Sequence, residues 1–574
     1  MTPFAVSLCN KLVQRSLLYF KNQNMTSRRN FLKQAGLATT SLLAPRLSLN
    51  AFAKPEDKRF RALRDAISAH ATLLRIPGLA AAVVEDGLVN FVQTEGFADI
   101  EKKIPVRRDH IFPVASLTKT FAAVTLMLYE QEGRISMDDY ILDYPFLTVG
   151  LTPDRLQNPN LKIKHVLSHT SEGEPGSNYI YNGNRYSFVY GVFEKMSGNT
   201  KHYEAFAEEV SKKIIRPLNM TGTLPGYPSD KNNPAIPRIV TTYSWNREHQ
   251  SFNPDRGLPG ATTLYPANGL LTTIDDLAAY SHALDQNTLL TAESYKKLTS
   301  PFVTTSGRQD PYGLGWSTQQ VGGRQVHWHY GYGDSFAALI IRVPQEKLAF
   351  ILLSNGVQAS EPFVLGYGNL LNSVFAQAFF KHIVFRRNGQ FSYTEFTSKQ
   401  AVERDALFYD ELFGQALMRY YAEQNYHEHQ GEAATIMQYL AQNDPERFHK
   451  MDVSLIYLLA KLADPGLKVQ MGSAILAYAA SGWFHPDVQD QIAGWYAQND
   501  NWQEAKEWYH RLADSKGYGE QWGVKNACNM LGKYYLEHGE KEKGRSYLWR
   551  EALYSCNMTP DEEVNRQIKN MKSL

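Results

Sequence analysis

The sequence predicts an α+β protein in which one antiparallel sheet, flanked by helices, carries an inserted all-helical lobe and is followed by an all-α tail. Two apolar runs joined at Asp86–Gly87, a dipeptide suited to a tight turn, predict a hairpin near the start. From Gly313 onward, β-branched and aromatic residues with a break at Pro344–Lys347 predict further antiparallel strands. Mixed helices and long loops fill the stretch between Gln131 and Asn268. Both ends of the domain therefore build one sheet around a helical insertion.

Two helices frame the predicted hairpin. The first is predicted by apolar residues that recur at helical spacing. These are Phe60, Leu63, Ile67, Ala71 and Leu74. The second begins near Val114, where the run VASLTKTFAAVTLML places apolar residues behind a serine and a lysine.

The region after about residue 385 changes character. Residues 386–401 are polar and irregular and predict a linker, whereas 402–574 are helical, rich in tyrosine and tryptophan, and without strand patterning. Two segments, from Trp495 and from Tyr534, align at a 39-residue offset with aromatic and small residues in matching positions. This pattern is typical of tetratricopeptide-like helix pairs, with an unrelated helical bundle as the alternative.

Length and charge limit the classes of protein. A chain of 574 residues is too long to fold around a single hydrophobic core, so several domains are expected. Its hydrophobic content of 43% argues against disorder. The net charge of +2 is uneven: residues 1–53 carry seven basic and no acidic residues, which leaves 53 basic against 58 acidic residues in the remainder. The body is thus mildly acidic, without the basic patch that nucleic-acid binding requires.

The basic start predicts an export leader over residues 1–53. Arg28–Arg29 precedes a short apolar stretch, and AFA at 51–53 supplies the small residues that a signal peptidase needs. The segment 25–53 resembles a twin-arginine signal, with Met25 as a possible true start and an ordinary basic tail as the alternative. No later stretch reaches 18 apolar residues, so no transmembrane segment is expected in the mature chain.

The three cysteines do not suggest a metal site. Cys9 falls in the leader, while Cys528 and Cys556 lie in helical sequence and either pair or stay buried as small apolar residues.

Ser116 and Lys119 form the strongest chemical signal. Residues i and i+3 share a helix face, so the lysine amine can reach the serine hydroxyl. A serine needs a base to become nucleophilic, and a lysine can serve once an apolar setting lowers its pKa. Ser116 also begins the helix, where backbone N–H groups are free to bind an oxyanion. The pair predicts nucleophilic catalysis.

Further motifs follow in order. They are IKHVLSHTSEGEPG from Ile163, YIYNGNRYSFVYGVFEKMSG from Tyr179, PANGLLTTIDDLAAYSHAL from Pro266, YGLGW from Tyr312 and HWHYGYGDSF from His327. With S-x-x-K, they make residues 54–385 resemble the serine β-lactamase-like family, which contains class C β-lactamases, D,D-carboxypeptidases, D-aminopeptidases and esterases. The resemblance implies a β-lactamase/transpeptidase-like fold with Ser116 as the nucleophile and Lys119 as its partner.

The family's Y-x-N motif places its tyrosine, the base and proton relay, on Tyr181. The third position holds Gly183 where the family usually has asparagine, which weakens the case for recognition of β-lactams and acyl amides. Tyr179 is the weaker candidate for the tyrosine, and a plain loop aromatic is the alternative for Tyr181.

The family's K-T-G or H-x-G strand corresponds to His329-Tyr330-Gly331. Histidine suggests hydrogen bonding to substrate or relay rather than a permanent cation. Gly331 is expected to line the substrate, and the backbone N–H groups of Ser116 and Tyr332 are expected to form the oxyanion hole. His327 and His329 share a strand face, but no further ligand completes a metal site, so neither metal nor cofactor is expected.

The sequence therefore predicts an exported, periplasmic or extracellular serine hydrolase that cleaves an ester or amide of a small or peptide-like substrate. A true β-lactamase or D,D-carboxypeptidase is the first alternative. A non-catalytic protein acting through its helical tail is the second. In either case the tail is a candidate surface for a protein partner.

Overall fold

The computed structural model describes residues 57–144, 158–172, 174–255, 264–387, 389, 391–398, 407–444, 486–514, 522–552 and 560–571. The predicted leader over 1–53 and Cys556 lie outside these residues, as does part of the predicted linker.

A seven-stranded antiparallel sheet forms the centre, in the order β3-β2-β1-β11-β10-β9-β8. The strands are β1 Gly78–Glu85, β2 Leu88–Asp99, β3 Ile104–Pro105, β4 Phe112–Pro113, β5 Thr242–Asn246, β6 Ser251–Asp255, β7 Leu271–Thr272, β8 Ser317–Val321, β9 Arg324–Tyr332, β10 Ala337–Val343 and β11 Leu348–Ser354. Pairs β4–β7 and β5–β6 form separate ribbons. β1 pairs with β11, with Ala82 opposite Ile351, so strands from both ends of the domain form one antiparallel sheet, as the sequence predicted.

Local turn chemistry explains the hairpins. Asp86 and Gly87 both have positive φ, of 50° and 79°, the backbone of a two-residue turn that matches strand twist. The break between β10 and β11 is a 3₁₀ turn over Pro344–Glu346 that ends at Lys347 with φ of 50°.

Helices surround the sheet and form the tail. They are α1 Lys58–Leu73, α2 Thr118–Gln131, α3 Ile163–Leu167, α4 Gly183–Tyr186, α5 Tyr190–Ser197, α6 His202–Val210, α7 Ile274–Asp285, α8 Ala292–Thr299, α9 Val374–Phe379, α10 Tyr393–Thr397, α11 Phe408–Tyr426, α12 Glu432–Asn443, α13 Pro486–Gln498, α14 Trp502–Ala513, α15 Trp522–Glu537, α16 Lys541–Ala552 and α17 Pro560–Met571. The predicted α+β class with an inserted helical lobe and a helical tail is confirmed.

Both faces of the sheet are covered, which is why its central strands are apolar throughout. Alternate residues such as Ala82 and Ile340 pack with α2, α7 and the helical lobe. The opposite set, such as Leu79 and Phe350, packs with α1 and α9. Leu412 of α11 is buried in this second core, where α11 packs against α9.

Helices α13 to α17 form smaller cores of their own. At Gly532 of α15 an added Cβ would lie 3.2 Å from the carbonyl oxygen of Gly544 in α16, so the two helices cross closely where both residues are small. Cys528 is a buried free thiol, and burial raises its pKa to about 11. None of the described helices is long and apolar enough to cross a bilayer.

Candidate active site

Ser116 lies in a strained turn at the start of α2. The 3₁₀ turn Ala115–Leu117 leads straight into the helix. Ala115 has φ of 43°, a left-handed conformation that costs a residue with a Cβ roughly 1–2 kcal/mol. The Thr118 hydroxyl donates to the Ala115 carbonyl at 2.7 Å and holds this turn. Ser116 is half-buried and lies next to the N-terminal end of α2.

Lys119 lies under Ser116 and is 0% exposed. Its Nζ is 2.8 Å from Ser116 Oγ and 2.9 Å from the carbonyl oxygen of Ala267, in the PANG motif. Burial lowers the pKa of Lys119 to about 7. Among the described residues no carboxylate forms an ion pair with it. A large fraction of the amine is therefore neutral near pH 7 and can accept a proton.

Tyr181 packs over the same amine, which is 5.1 Å from the centre of its ring. Its hydroxyl is buried and makes no hydrogen bond of normal geometry within the described part of the chain. Burial raises the pKa of Tyr181 above its ordinary value, and the nearby hydroxyls of Ser116 and Tyr330 only partly oppose this. Tyr179, the weaker candidate, donates its hydroxyl to the Gly366 carbonyl at 2.8 Å.

The third position of the tyrosine motif is open. An added Cβ on Gly183 would lie 3.8 Å from Lys119 Nζ, and no other side chain of the described residues comes within 4 Å of it. The preceding Asn182 cannot substitute, because its side chain caps α4 by accepting from the Asn184 N–H at 2.9 Å. It also donates to Glu172 at 2.5 Å. No amide from this motif therefore faces the cleft.

Gly331 brings β9 against the turn before Ser116. A Cβ at this position would lie 2.2 Å from the Val114 carbonyl oxygen, so a larger residue would separate the strand from the turn. The next residue, Tyr332, ends β9 with its side chain 49% exposed. The structure thus places the expected oxyanion donors, Ser116 and Tyr332, on two touching segments. The roles of Gly331 and Tyr332 remain predictions.

His329 is completely buried, with both ring nitrogens engaged. Nδ1 is 2.7 Å from the Tyr330 carbonyl oxygen and Nε2 is 2.7 Å from the Tyr312 hydroxyl. Because a carbonyl can only accept, Nδ1 carries the proton and Nε2 accepts from Tyr312. Burial, with the charge of Lys119, lowers the pKa of His329 to about 3. The ring is therefore neutral and held within the protein, and its predicted role toward substrate is untested.

Comparison with known proteins agrees with this arrangement. Residues 63–372 match the Beta-lactamase family. The chain belongs to that family.

Individual relatives of this β-lactamase family member are distant. A D-aminopeptidase from Gluconobacter oxydans is 22% identical over 338 residues, which are 52% of this chain and 59% of the relative. A penicillin-binding protein from Bacillus subtilis is 23% identical, over 48% of this chain and 68% of the relative. The octameric penicillin-binding protein homologue from Pyrococcus abyssi superposes with a TM-score of 0.46 at 20% identity, over 57% of this chain and 77% of that one. The expected enzyme class, a β-lactamase-related serine hydrolase, is confirmed at the level of the family.

The structure adds residues that the sequence did not single out. His169 stacks on Tyr181 with ring centres 4.2 Å apart, and its Nδ1 accepts from the Asn182 N–H at 3.1 Å. Tyr186 donates its hydroxyl to the Lys119 carbonyl at 3.1 Å. His169 lies in the segment LSHTSEG and Tyr312 lies in YGLGW, so both residues are part of motifs noted in the sequence. Periodicity alone does not predict which side chains their rings contact.

Other polar residues of the motifs have structural partners. The Ser335 hydroxyl is buried and donates to Asp255 at 2.7 Å. His327 pairs with the Tyr295 hydroxyl at 2.8 Å, away from Ser116. Within the described residues, no group of three or more metal-ligating side chains is arranged to hold an ion.

Proposed function

We propose that this β-lactamase family member is an exported serine hydrolase that cleaves an ester or amide through an acyl-enzyme on Ser116. One observation carries the proposal: a buried amine, with no carboxylate partner among the described residues, lies 2.8 Å from the serine hydroxyl. A lysine with its ordinary pKa would be protonated and could not take the serine proton.

The proposed chemistry assigns each proton. Neutral Lys119 accepts the proton of Ser116 while Oγ forms a bond to the substrate carbonyl carbon. The carbonyl oxygen becomes an oxyanion that the N–H groups of Ser116 and Tyr332 stabilise. Tyr181, kept protonated by its raised pKa, passes a proton to the leaving alcohol or amine and regains one from the Lys119 ammonium. Water then hydrolyses the acyl-enzyme by the same route in reverse.

The open space at Gly183 favours esters and simple amides over β-lactams with an acylamide side chain. In the family pattern the asparagine at this position donates to that amide, and here the position has no side chain. The relatives include a D-aminopeptidase, which supports a D-amino-acid amide as one substrate to examine.

Incubation with a fluorophosphonate probe, followed by peptide mass mapping, tests the nucleophile. We expect one adduct on Ser116 in the folded wild type and none in Ser116→Ala. A panel of p-nitrophenyl esters, D-amino-acid amides and a chromogenic cephalosporin then separates the substrate classes. Absence of an adduct on the folded protein would favour the non-catalytic alternative, and rapid cephalosporin turnover would favour a true β-lactamase.

Export by the twin-arginine route is part of the proposal and rests on the leader sequence alone. Cell fractionation of the wild type and of the double variant Arg28→Lys, Arg29→Lys tests it. We expect the wild type outside the cytoplasm and the variant retained inside, whereas equal export of both would contradict the route.

A further inference from the structure

Ile180, the residue before Tyr181, has its side chain in a core that belongs to the tail. It is 1% exposed, and the buried residues that cluster with it come from helices α13, α14 and α15. They are Ala493, Ala505, Tyr509, Leu512, Ala513, Val524, Ala527, Cys528, Leu531 and Tyr535. One residue of the catalytic lobe is thus buried among residues more than 300 positions later in the chain.

The same tail helices also contact the sheet-side core, which is the core between the sheet and helices α1 and α9 that contains Leu79 and Phe350. Ile492 of α13 is buried in the sheet-side core, and Trp508 of α14 packs against both cores. The ring of Tyr181 packs against the sheet-side core as well. The tail helices therefore reach both the core that buries Ile180 and the larger core against which the Tyr181 ring packs.

His169 holds the loop on the other side. The Ile180 N–H donates to the His169 carbonyl at 2.8 Å, and the Asn182 N–H donates to His169 Nδ1 at 3.1 Å. The backbone on each side of Tyr181 is thus tied to one residue of the catalytic domain. The Tyr179 hydroxyl adds a bond to the Gly366 carbonyl at 2.8 Å, and the Ile180 side chain ties the same loop to the tail core.

We propose that Ile180 is a positioning residue through which tail helices α13 and α14 hold Tyr181 over Lys119. The inference rests on the proposed function, because it concerns the proton relay of that reaction. The Tyr181 ring packs against His169 and its hydroxyl lies near those of Ser116 and Tyr330, so the position of the hydroxyl depends on how the loop is anchored. A displacement of about 1 Å at a reacting group can cost on the order of 100-fold in rate.

Ile180→Ala in the full-length chain tests the proposal. We expect kcat toward a small ester to fall by roughly 10- to 100-fold with KM changed less than about threefold, since the substrate contacts remain. The apparent pKa that Lys119 gives to kcat/KM should not move, and Ile180→Val should recover most of kcat. The matched control is Ile436→Ala in α12, which removes the same atoms from the sheet-side core where α12 packs against α11. We expect the control to lose stability but not kcat.

A second variant changes a tail residue in the core that buries Ile180. Ala493→Leu adds bulk to the core around Ile180 without changing the loop sequence and should lower kcat in the same direction. If Ile180→Ala and Ile436→Ala have equal kcat in folded protein, or if Ala493→Leu leaves kcat unchanged, the tail does not position Tyr181. Failure of the proposed function looks different, because the wild type itself would then not be labelled on Ser116.

Discussion

Two cations are completely buried on the same side of the sheet, and their surroundings differ. Arg342 of β10 donates to the Ser281 hydroxyl at 3.0 Å and to its carbonyl at 3.1 Å, and also bonds Asp285 and the Tyr295 hydroxyl. Lys119 contacts one hydroxyl and one carbonyl, and no carboxylate in the described part of the chain pairs with it.

The difference shows what each site is for. Burial of a charge costs several kcal/mol, and Arg342 recovers that cost through a carboxylate and three further acceptors. Lys119 lacks this compensation, so its charged form is disfavoured and its pKa drops. A guanidinium would stay protonated at any physiological pH, whereas an ammonium can release its proton. The uncompensated site therefore becomes a base, and the compensated one remains structural.

The largest effect is expected when the base is removed. Lys119→Met keeps the length of the side chain and removes the amine, and we expect kcat for ester hydrolysis to fall by about 10²- to 10⁴-fold. Steady-state kinetics measure the loss. Wild-type kcat in the variant would show that Lys119 is not the base.

The same variant should be more stable. The pKa of Lys119 is lowered on folding, so the unfolded chain binds more protons between pH 7 and 10.5 and wild-type stability rises with pH over that range. Lys119→Met removes this penalty, so we expect a gain on the order of 3 kcal/mol at pH 7 that shrinks toward pH 10. Urea unfolding at several pH values measures it, and a constant difference across pH would contradict the buried-amine account.

Breaking the compensated site should give the opposite result. Arg342→Met leaves Asp285 buried without its cation and should lower the free energy of unfolding by about 3–5 kcal/mol. We expect the fraction that folds to keep wild-type kcat per labelled Ser116. The double variant Arg342→Met, Asp285→Leu, which removes both charges, should recover much of the loss. A fall in kcat per labelled site would mean that the two cations are coupled.

The smallest effect is the pH dependence of the wild type. Below pH 7 Lys119 becomes protonated and kcat/KM should fall about tenfold per pH unit, and above pH 7 it should level off. His329 does not interfere, because its pKa lies near 3, and the raised pKa of Tyr181 keeps the phenol protonated at neutral pH. If the fall in kcat/KM were centred near pH 4 instead of pH 7, the result would indicate a carboxylate base.

Features that depend on neighbouring residues were predictable. Ser116 and Lys119 are one helical turn apart, and the Asp86–Gly87 turn is decided by the two residues themselves. The contribution of both ends of the domain to one antiparallel sheet followed from the strand patterns at each end. In each case the physical cause lies within a short stretch of sequence or in a repeating period.

Contacts between distant segments were not predictable in this way. Tyr312 precedes β8, which pairs with β9, and it thereby reaches His329 on β9. The resulting hydrogen bonds fix a neutral imidazole that the motif alone left open. In the sequence, Ile180 is an apolar residue beside a motif tyrosine, and its local pattern does not distinguish it from other apolar residues. The residues that Ile180 contacts lie in the tail, and the local periodicity of the sequence does not predict such distant contacts.

Cys528 belongs to the core that buries Ile180, and its thiol is shielded and held in the protonated form. Thiol reagents attack the thiolate, so an intact tail keeps this sulfur unreactive even in an oxidising compartment. Its rate of alkylation consequently serves as a built-in gauge of how often the tail opens, readable on the native chain without any attached label.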